Sequence, residues 1–322
     1  MHHYKKHIGI IAALLVLGSS SSGAAELGHY APAVPRVRDF FVPAKGVYFA
    51  EYNTYYTAGT YKNGNGDKVS SVTVGPVNVN IDVDVDSYMV SPGILAVTDK
   101  KFMGAVYGFY FLQPFGNMGL DATLTTNIDR GINSSNSSFG VGDTFIQPLW
   151  LGWSMKRDDA VFGYGVYAPT GKYKVGSSGN IGLGYWTHQF QGGWAHYFDD
   201  HKMTALVGAV TYEINMNKQD TDIKPGNRLS FNTGIDHMWS VSPNWLGNVG
   251  ASGYGQWQVT RDGGDNATRK SVKDQIYGAG LEAGLTYMPW GGAQASLKWA
   301  HEMGAEDRFE GDYYQLTVGI PF

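Results

Sequence analysis

From Gly46 to the end of the chain, apolar and polar residues alternate with a period of two. The last run shows this most cleanly. Tyr314, Leu316, Val318, Ile320 and Phe322 fall on one face, and Tyr313, Gln315, Thr317, Gly319 and Pro321 on the other, as expected of a strand with one apolar side. Twelve such runs can be counted: 46–57, 79–97, 102–114, 139–154, 160–170, 183–198, 203–215, 227–240, 245–259, 274–288, 293–303 and 312–322. Within 275–288, Tyr277 and Tyr287 bracket the apolar row Ala279, Leu281, Ala283 and Leu285, while Gly278, Gly280, Glu282 and Gly284 form the other face. A row of apolar residues with an aromatic at each end suits a strand facing lipid between two interfaces. The small and charged row then lines an interior. The same rule turns Lys298 and Glu302 inward, together with Glu213, Arg228, Asn232 and Asp236, and Tyr254, Gln256 and Gln258 one strand later. In 102–114 and 139–154 the two faces do not separate, although Gly104 and Gly108 suggest an inner side for the first.

The connections sort into two kinds. Those near Thr98–Lys101, Lys156–Asp159, Asp199–Lys202, Val241–Asn244 and Pro289–Gly292 are short and rich in turn residues. Ala58–Asn78, Phe115–Ser138, Met216–Gly226 and Thr260–Lys273 are longer and polar. Strict alternation of short and long with an even strand count predicts an all-β protein, a transmembrane antiparallel up-and-down β-barrel of about twelve strands over residues 46–322. Closure removes the open edge that the terminal strand would otherwise present. The short turns then face the periplasm and the long loops the outside. A turn at Pro289–Gly291 places Glu282 opposite Lys298, close enough for an ion pair. In Val79–Asp86 the valines and Ile81 alternate with Asn80, Asp82, Asp84 and Asp86. These three carboxylates are expected on the inner face near the mouth, where they bind a cation, screen anions or simply meet water; a compact hard-cation cage needs more ligands than one strand supplies.

Ahead of the strands, basic residues at Lys5 and Lys6 precede the uncharged run Ile8–Leu17 and then small residues up to Ala25. That order predicts an export signal over residues 1–25, since the apolar run is about half the length of a membrane-spanning helix. Residues 26–45 carry Pro32, Pro35 and Pro43 and no periodicity, which favours an extended path. Two readings stand for this stretch: a plug inside the barrel, anchored by Tyr30, Phe40 and Phe41, or a periplasmic tail.

Composition supports a membrane surface. Charged residues make up 16% of the 322, against roughly 25% in soluble domains. Aromatics reach 14%, mostly Tyr and Trp, the types that suit a bilayer interface. A net charge of −4 without a basic cluster beyond the first residues argues against nucleic acid. The absence of cysteine excludes thiolate chemistry and disulfides. No zinc spacing, phosphate loop or nucleophile elbow occurs, so no catalytic residue, metal or cofactor is expected. Among embedded enzymes, the outer-membrane phospholipases carry a Ser two residues after a lipid-facing His. Here His188 is followed at that offset by Phe190, His196 by Phe198 and His237 by Trp239.

The segments Gly140–Pro148 (GVGDTFIQP), Tyr167–Tyr173 (YAPTGKY), Asn180–Trp186 (NIGLGYW), Tyr212–Gly226, Gln256–Gly264 (QWQVTRDGG) and Lys298–Gly311 (KWAHEMGAEDRFEG) together resemble the outer-membrane family associated with meta-pathway phenol degradation. The terminal strand ending at Phe322 is also similar to the C-terminal signature of bacterial outer-membrane barrels. These resemblances imply an outer-membrane location in a Gram-negative bacterium. They imply a channel for passive uptake of small hydrophobic or aromatic solutes, with outer-membrane lipid and lipopolysaccharide around it and the barrel-assembly machinery acting on the last strand. The alternatives are a non-specific water-filled porin and a lipid-modifying enzyme.

Overall fold

A computed structural model describes residues 28–74, 77–126, 131–177, 179–267 and 270–322. The expected export signal, together with Glu26 and Leu27, lies outside them. Alternating sequence becomes fifteen strands in one antiparallel sheet: β1 (Gly46–Lys62), β2 (Ser71–Val74), β3 (Val77–Phe102), β4 (Ala105–Leu112), β5 (Phe115–Thr126), β6 (Gly131–Val141), β7 (Thr144–Ser154), β8 (Asp158–Ala168), β9 (Thr187–Tyr197), β10 (Thr204–Asn215), β11 (Arg228–Ser242), β12 (Trp245–Gln258), β13 (Gln275–Tyr287), β14 (Ala293–Glu306) and β15 (Arg308–Pro321). Among the described residues twelve of these close a ring. β3, β4 and β7 through β15 follow one another by register, and β1 joins the two ends by pairing with β15 on one side and β3 on the other.

The radial order is inverted relative to a soluble core. Leu281, Leu285, Leu297, Leu316, Ile235 and Val249 are exposed on the outside, whereas Glu213, Arg228, Asp236, Glu302, Thr211 and Thr317 are buried within. Exposed Trp194, Trp239, Trp245 and Trp290 gather toward the end with the short turns, and exposed Tyr55, Tyr277, Trp299 and Tyr314 toward the other. A surface that is apolar between two aromatic belts is one built to face hydrocarbon.

Two connections differ from expectation. The first turn is not at Thr98–Lys101: β3 runs through those residues, and the reversal is made by Met103 and Gly104, both with positive φ (52° and 80°). A two-residue turn of that kind matches the twist of its strands. Phe115–Ser138 is not a loop either. β5 and β6 form a hairpin that continues β4 and β7 beyond the ring, with β5 paired to the upper half of β3. At 26 residues, β3 spans about 85 Å, far more than a strand needs to cross a bilayer. The break between the two storeys falls at Gln113–Pro114 and Gly142–Asp143. There Gln113 Nε2 donates to the carbonyls of Pro114 and Gly142 (3.1 and 3.0 Å), and Thr144 Oγ1 donates to Gln113 Oε1 (2.6 Å).

Candidate functional site

Residues 28–45 run inside the ring, from its long-loop end at Gly28 to its short-turn end ahead of β1. An extended, proline-containing segment cannot satisfy its own backbone groups, and buried groups need partners. The inner polar side chains provide them. Glu213 accepts from the amides of His29 and Tyr30, both at 2.9 Å. Tyr30 donates its hydroxyl to Asn232 Oδ1 (2.8 Å), and Asn232 Nδ2 donates to the Pro32 carbonyl (2.7 Å). Gln256 reaches the Tyr30 carbonyl (2.9 Å), Gln315 that of Val34 (3.0 Å) and Lys298 that of Pro35 (2.6 Å). Below them Glu282 accepts from the Val37 amide (3.2 Å), Asp236 from Arg38 Nε, and Asp159 from the Val42 amide (3.2 Å). Val37 and Phe40, in a single 3-10 turn, pack with Ala195, Tyr197, Ala205, Val207 and Ala209 on the wall. Phe41 meets Tyr197 edge-on at 5.3 Å and lies under Arg38.

The residues expected inward on β10 to β14 are buried within the ring, and most of them hold a segment of the same chain. Glu282 and Lys298 do sit opposite each other in register. Their hydrogen bonds go to Val37 and Pro35 rather than to each other, so the expected cross-strand ion pair is replaced by two anchors. Higher up, Arg228 pairs with Asp274, both side chains fully buried, and Tyr56 donates to Glu302 (2.9 Å). Tyr254 is buried with Ala33, Ile276 and Ala300.

Asp82, Asp84 and Asp86 correct the expectation. Val79, Ile81 and Val83 point inward and pack with Leu124 against Phe309. Asp82 and Asp84 are exposed, and Asp86 accepts a hydrogen bond (2.6 Å) from Tyr55, on the outer face. The outer face has to be apolar only within lipid. This part of β3 rises beyond the ring, where its outer side meets water and its apolar side is free to turn in.

The segment occupies one side of the interior, against β8 to β15. Between it and the opposite wall lies a cavity of about 880 Å³, running the height of the barrel. Its wall there is apolar and aromatic: Tyr52 on β1, Met89 and Leu95 on β3, Tyr110 and Leu112 on β4, and Phe145 and Trp150 on β7. Phe145 lies 4.4 Å from the Tyr167 ring and 6.1 Å from Tyr110. Four of these lining residues, Tyr110, Leu112, Phe145 and Trp150, belong to the two strands whose faces could not be told apart in sequence. The ambiguity was the signal: a strand apolar on both faces has lipid on one side and an apolar cavity on the other.

At the long-loop end sits a buried polar cluster that sequence reasoning missed. His29 stacks on Tyr167 at 4.6 Å. Its Nε2 is 2.9 Å from Asp143 Oδ2, and its Nδ1 is 2.8 Å from Thr187 Oγ1. Asp143 also accepts from the amides of Gly171 (2.9 Å) and Leu183 (2.7 Å), in the connection between β8 and β9. Burial pushes the Asp143 carboxyl up, but hydrogen bonds from His29, Leu183 and Gly171 outweigh it and hold the group below its ordinary value of 3.8. Only its place in GVGDTFIQP, at a strand break between Gly142 and Thr144, marked it in the sequence.

A model of the family described as putative MetA-pathway of phenol degradation matches residues 58–318. The chain belongs to that family. The fold is shared with an outer membrane channel from Pseudomonas putida F1, at a TM-score of 0.65 and 16% identity, over 90% of this chain and all of that one. Weaker likenesses include the translocator domain of the autotransporter NalP from Neisseria meningitidis (TM-score 0.47, 13% identity, 89% of this chain and 92% of that one). Another is a FadL homologue from Pseudomonas aeruginosa (0.36, 10%, 86% and 90%). No curated protein matches the chain. The architecture is that of an outer-membrane β-barrel. His188, the residue on which an embedded-enzyme reading would rest, lies beside Tyr164, its Nδ1 2.9 Å from that hydroxyl.

Proposed function

We propose that the protein is a channel in the outer membrane of a Gram-negative bacterium for passive uptake of small hydrophobic or aromatic compounds, with residues 28–45 as its plug. The observation that carries this reading is the division of the interior. Most of the charged and amide side chains of β10 to β15 are turned onto the segment, and the facing wall of the space left open is mainly Tyr, Phe, Trp, Met and Leu, with Arg38, Asp39, Gln147 and Gln191 at its edges. An apolar route of this size favours solutes that shed their hydration at little cost. A water-filled porin would instead leave its charged groups facing open space. The long loops then face outside and the short turns the periplasm. Outer-membrane lipid and lipopolysaccharide surround the apolar belt, and β15 with its exposed Phe322 is offered to the barrel-assembly machinery.

The reading is tested by uptake in a strain lacking the protein and complemented with variants, using a monocyclic aromatic hydrocarbon and a disaccharide. Leu95→Asp puts an unpaired charge into the apolar route, which costs several kcal/mol to desolvate. Aromatic uptake is expected to fall at least tenfold, with disaccharide uptake near background in both strains. Equal uptake of the two solutes, unaffected by the substitution, would favour a general porin.

A further inference from the structure

We propose that Asp143 is a positioning residue that latches the two occluding elements of the channel to one another, so that they release together. This inference rests on the reading of residues 28–45 as a plug. A single carboxylate makes both attachments. Oδ2 takes His29 Nε2 at 2.9 Å and the Leu183 amide at 2.7 Å, and Oδ1 takes the Gly171 amide at 2.9 Å. His29 belongs to the plug; Gly171 and Leu183 belong to the 169–186 connection, whose Tyr173, Ile181 and Leu183 line the same cavity from above. Three stretches of the chain, the start of the plug, the strand break at Asp143 and the 169–186 connection, thus meet at one side chain.

The packing leaves little freedom in how they meet. A Cβ added at Gly171 would lie 2.8 Å from Asp143 Oδ1, and one at Gly182 would lie 2.7 Å from it. His29 is held from the other side by Tyr167, by Tyr185 edge-on at 4.8 Å and by Thr187, which donates in turn to Asn215 (2.7 Å). Displacing the loop therefore removes two of the donors that orient the carboxylate, and a misoriented carboxylate no longer holds His29. Withdrawal of His29 leaves Oδ2 with one donor fewer in a buried site, where an incompletely paired carboxylate is unfavourable, and the loop loses its fixed acceptor. Coupling of this kind is reciprocal: release of the plug favours release of the loop by the same factor as release of the loop favours release of the plug.

The chain has no cysteine, so single cysteines report cleanly. Val34→Cys in the plug and Ser177→Cys in the loop are each combined with His29→Ala, Gly182→Ala or Asp143→Asn. Maleimide labelling rates are then measured on the purified barrel, with heat-modifiable migration as the check on folding. His29→Ala touches only the plug, yet the rate at position 177 is expected to rise at least tenfold. Gly182→Ala crowds the loop against the Asp143 carboxylate and has no contact with the plug, yet the rate at position 34 is expected to rise comparably. Asp143→Asn places an amide donor against a donor and should raise both. If His29→Ala speeds labelling at position 34 alone and Gly182→Ala at position 177 alone, the two elements are held separately and the proposal fails. It fails equally if Asp143→Asn changes neither rate. Should Asp143→Asn not fold, the other two variants decide the matter. Position 34 labelled as fast as a free thiol in every protein, including the parent, would instead refute the plug itself.

Discussion

At the scale of residues, the interior is organised by what is missing as much as by what is present. A Cβ built at Gly234 would come within 2.5 Å of Val37 Cγ2 and 2.9 Å of the Ala251 carbonyl, so the absence of a side chain on β11 makes room for the 3-10 turn of the inner segment. Gly234→Val should expel that turn at a cost of about 1–3 kcal/mol and open the barrel. Gly208, where nothing lies within 4 Å, supplies the control, and Gly208→Val should leave ion conductance unchanged. The Asp143 carboxyl carries a pH dependence whose sign follows from its depressed value. A lowered folded-state pKa gives stabilisation that is complete above the unfolded value, about 3.9, and is lost as the pH falls through the lower folded one. The conductance of the intact channel should therefore stay flat from neutrality to about pH 4 and rise only below it, and Asp143→Asn should abolish that step. A rise already present at pH 6 would assign the opening to another group.

At the scale of elements, the strands were legible because lipid imposes a period of two that any window reveals. In β13 the exposed row Tyr277, Leu281, Leu285 and the buried row Ile276, Gly278, Glu282 are those the sequence separates. The hairpin of β5 and β6 was not legible. Asn133–Ser138 (NSSNSS) reads as a polar loop because, beyond the bilayer, nothing requires either face to be apolar. For the same reason the rule that the charged face points in failed at Asp82 and Asp84. The path of residues 28–45 was not legible in the sequence, since an extended segment has no periodicity and its partners lie about 200 residues away. Topology can be checked at this scale. Cysteines at Asn65 and Asp265, in the long connections, should react with an impermeant reagent on intact cells. Those at Asp200 and Pro243 should react only after the outer membrane is breached. Labelling of Pro243 on intact cells would break the strand count.

At the scale of the whole molecule, the account turns on one asymmetry. Polar anchors such as Glu213, Lys298 and Glu282 fix residues 28–45 to one side of the barrel, and the remaining cavity, about 880 Å³, has a mainly apolar and aromatic facing wall. A barrel of eight strands fills itself and one of sixteen leaves a water channel; twelve strands leave a space that this segment divides. Single-channel conductance of the mature protein and of a form lacking Glu26–Val42, reconstituted side by side, tests this most directly. The account predicts a low conductance for the full chain that rises several-fold on deletion, as the anchors are exposed to a water-filled lumen. Equal conductance in the two forms would mean that the segment does not occupy the lumen, and the central claim would be wrong.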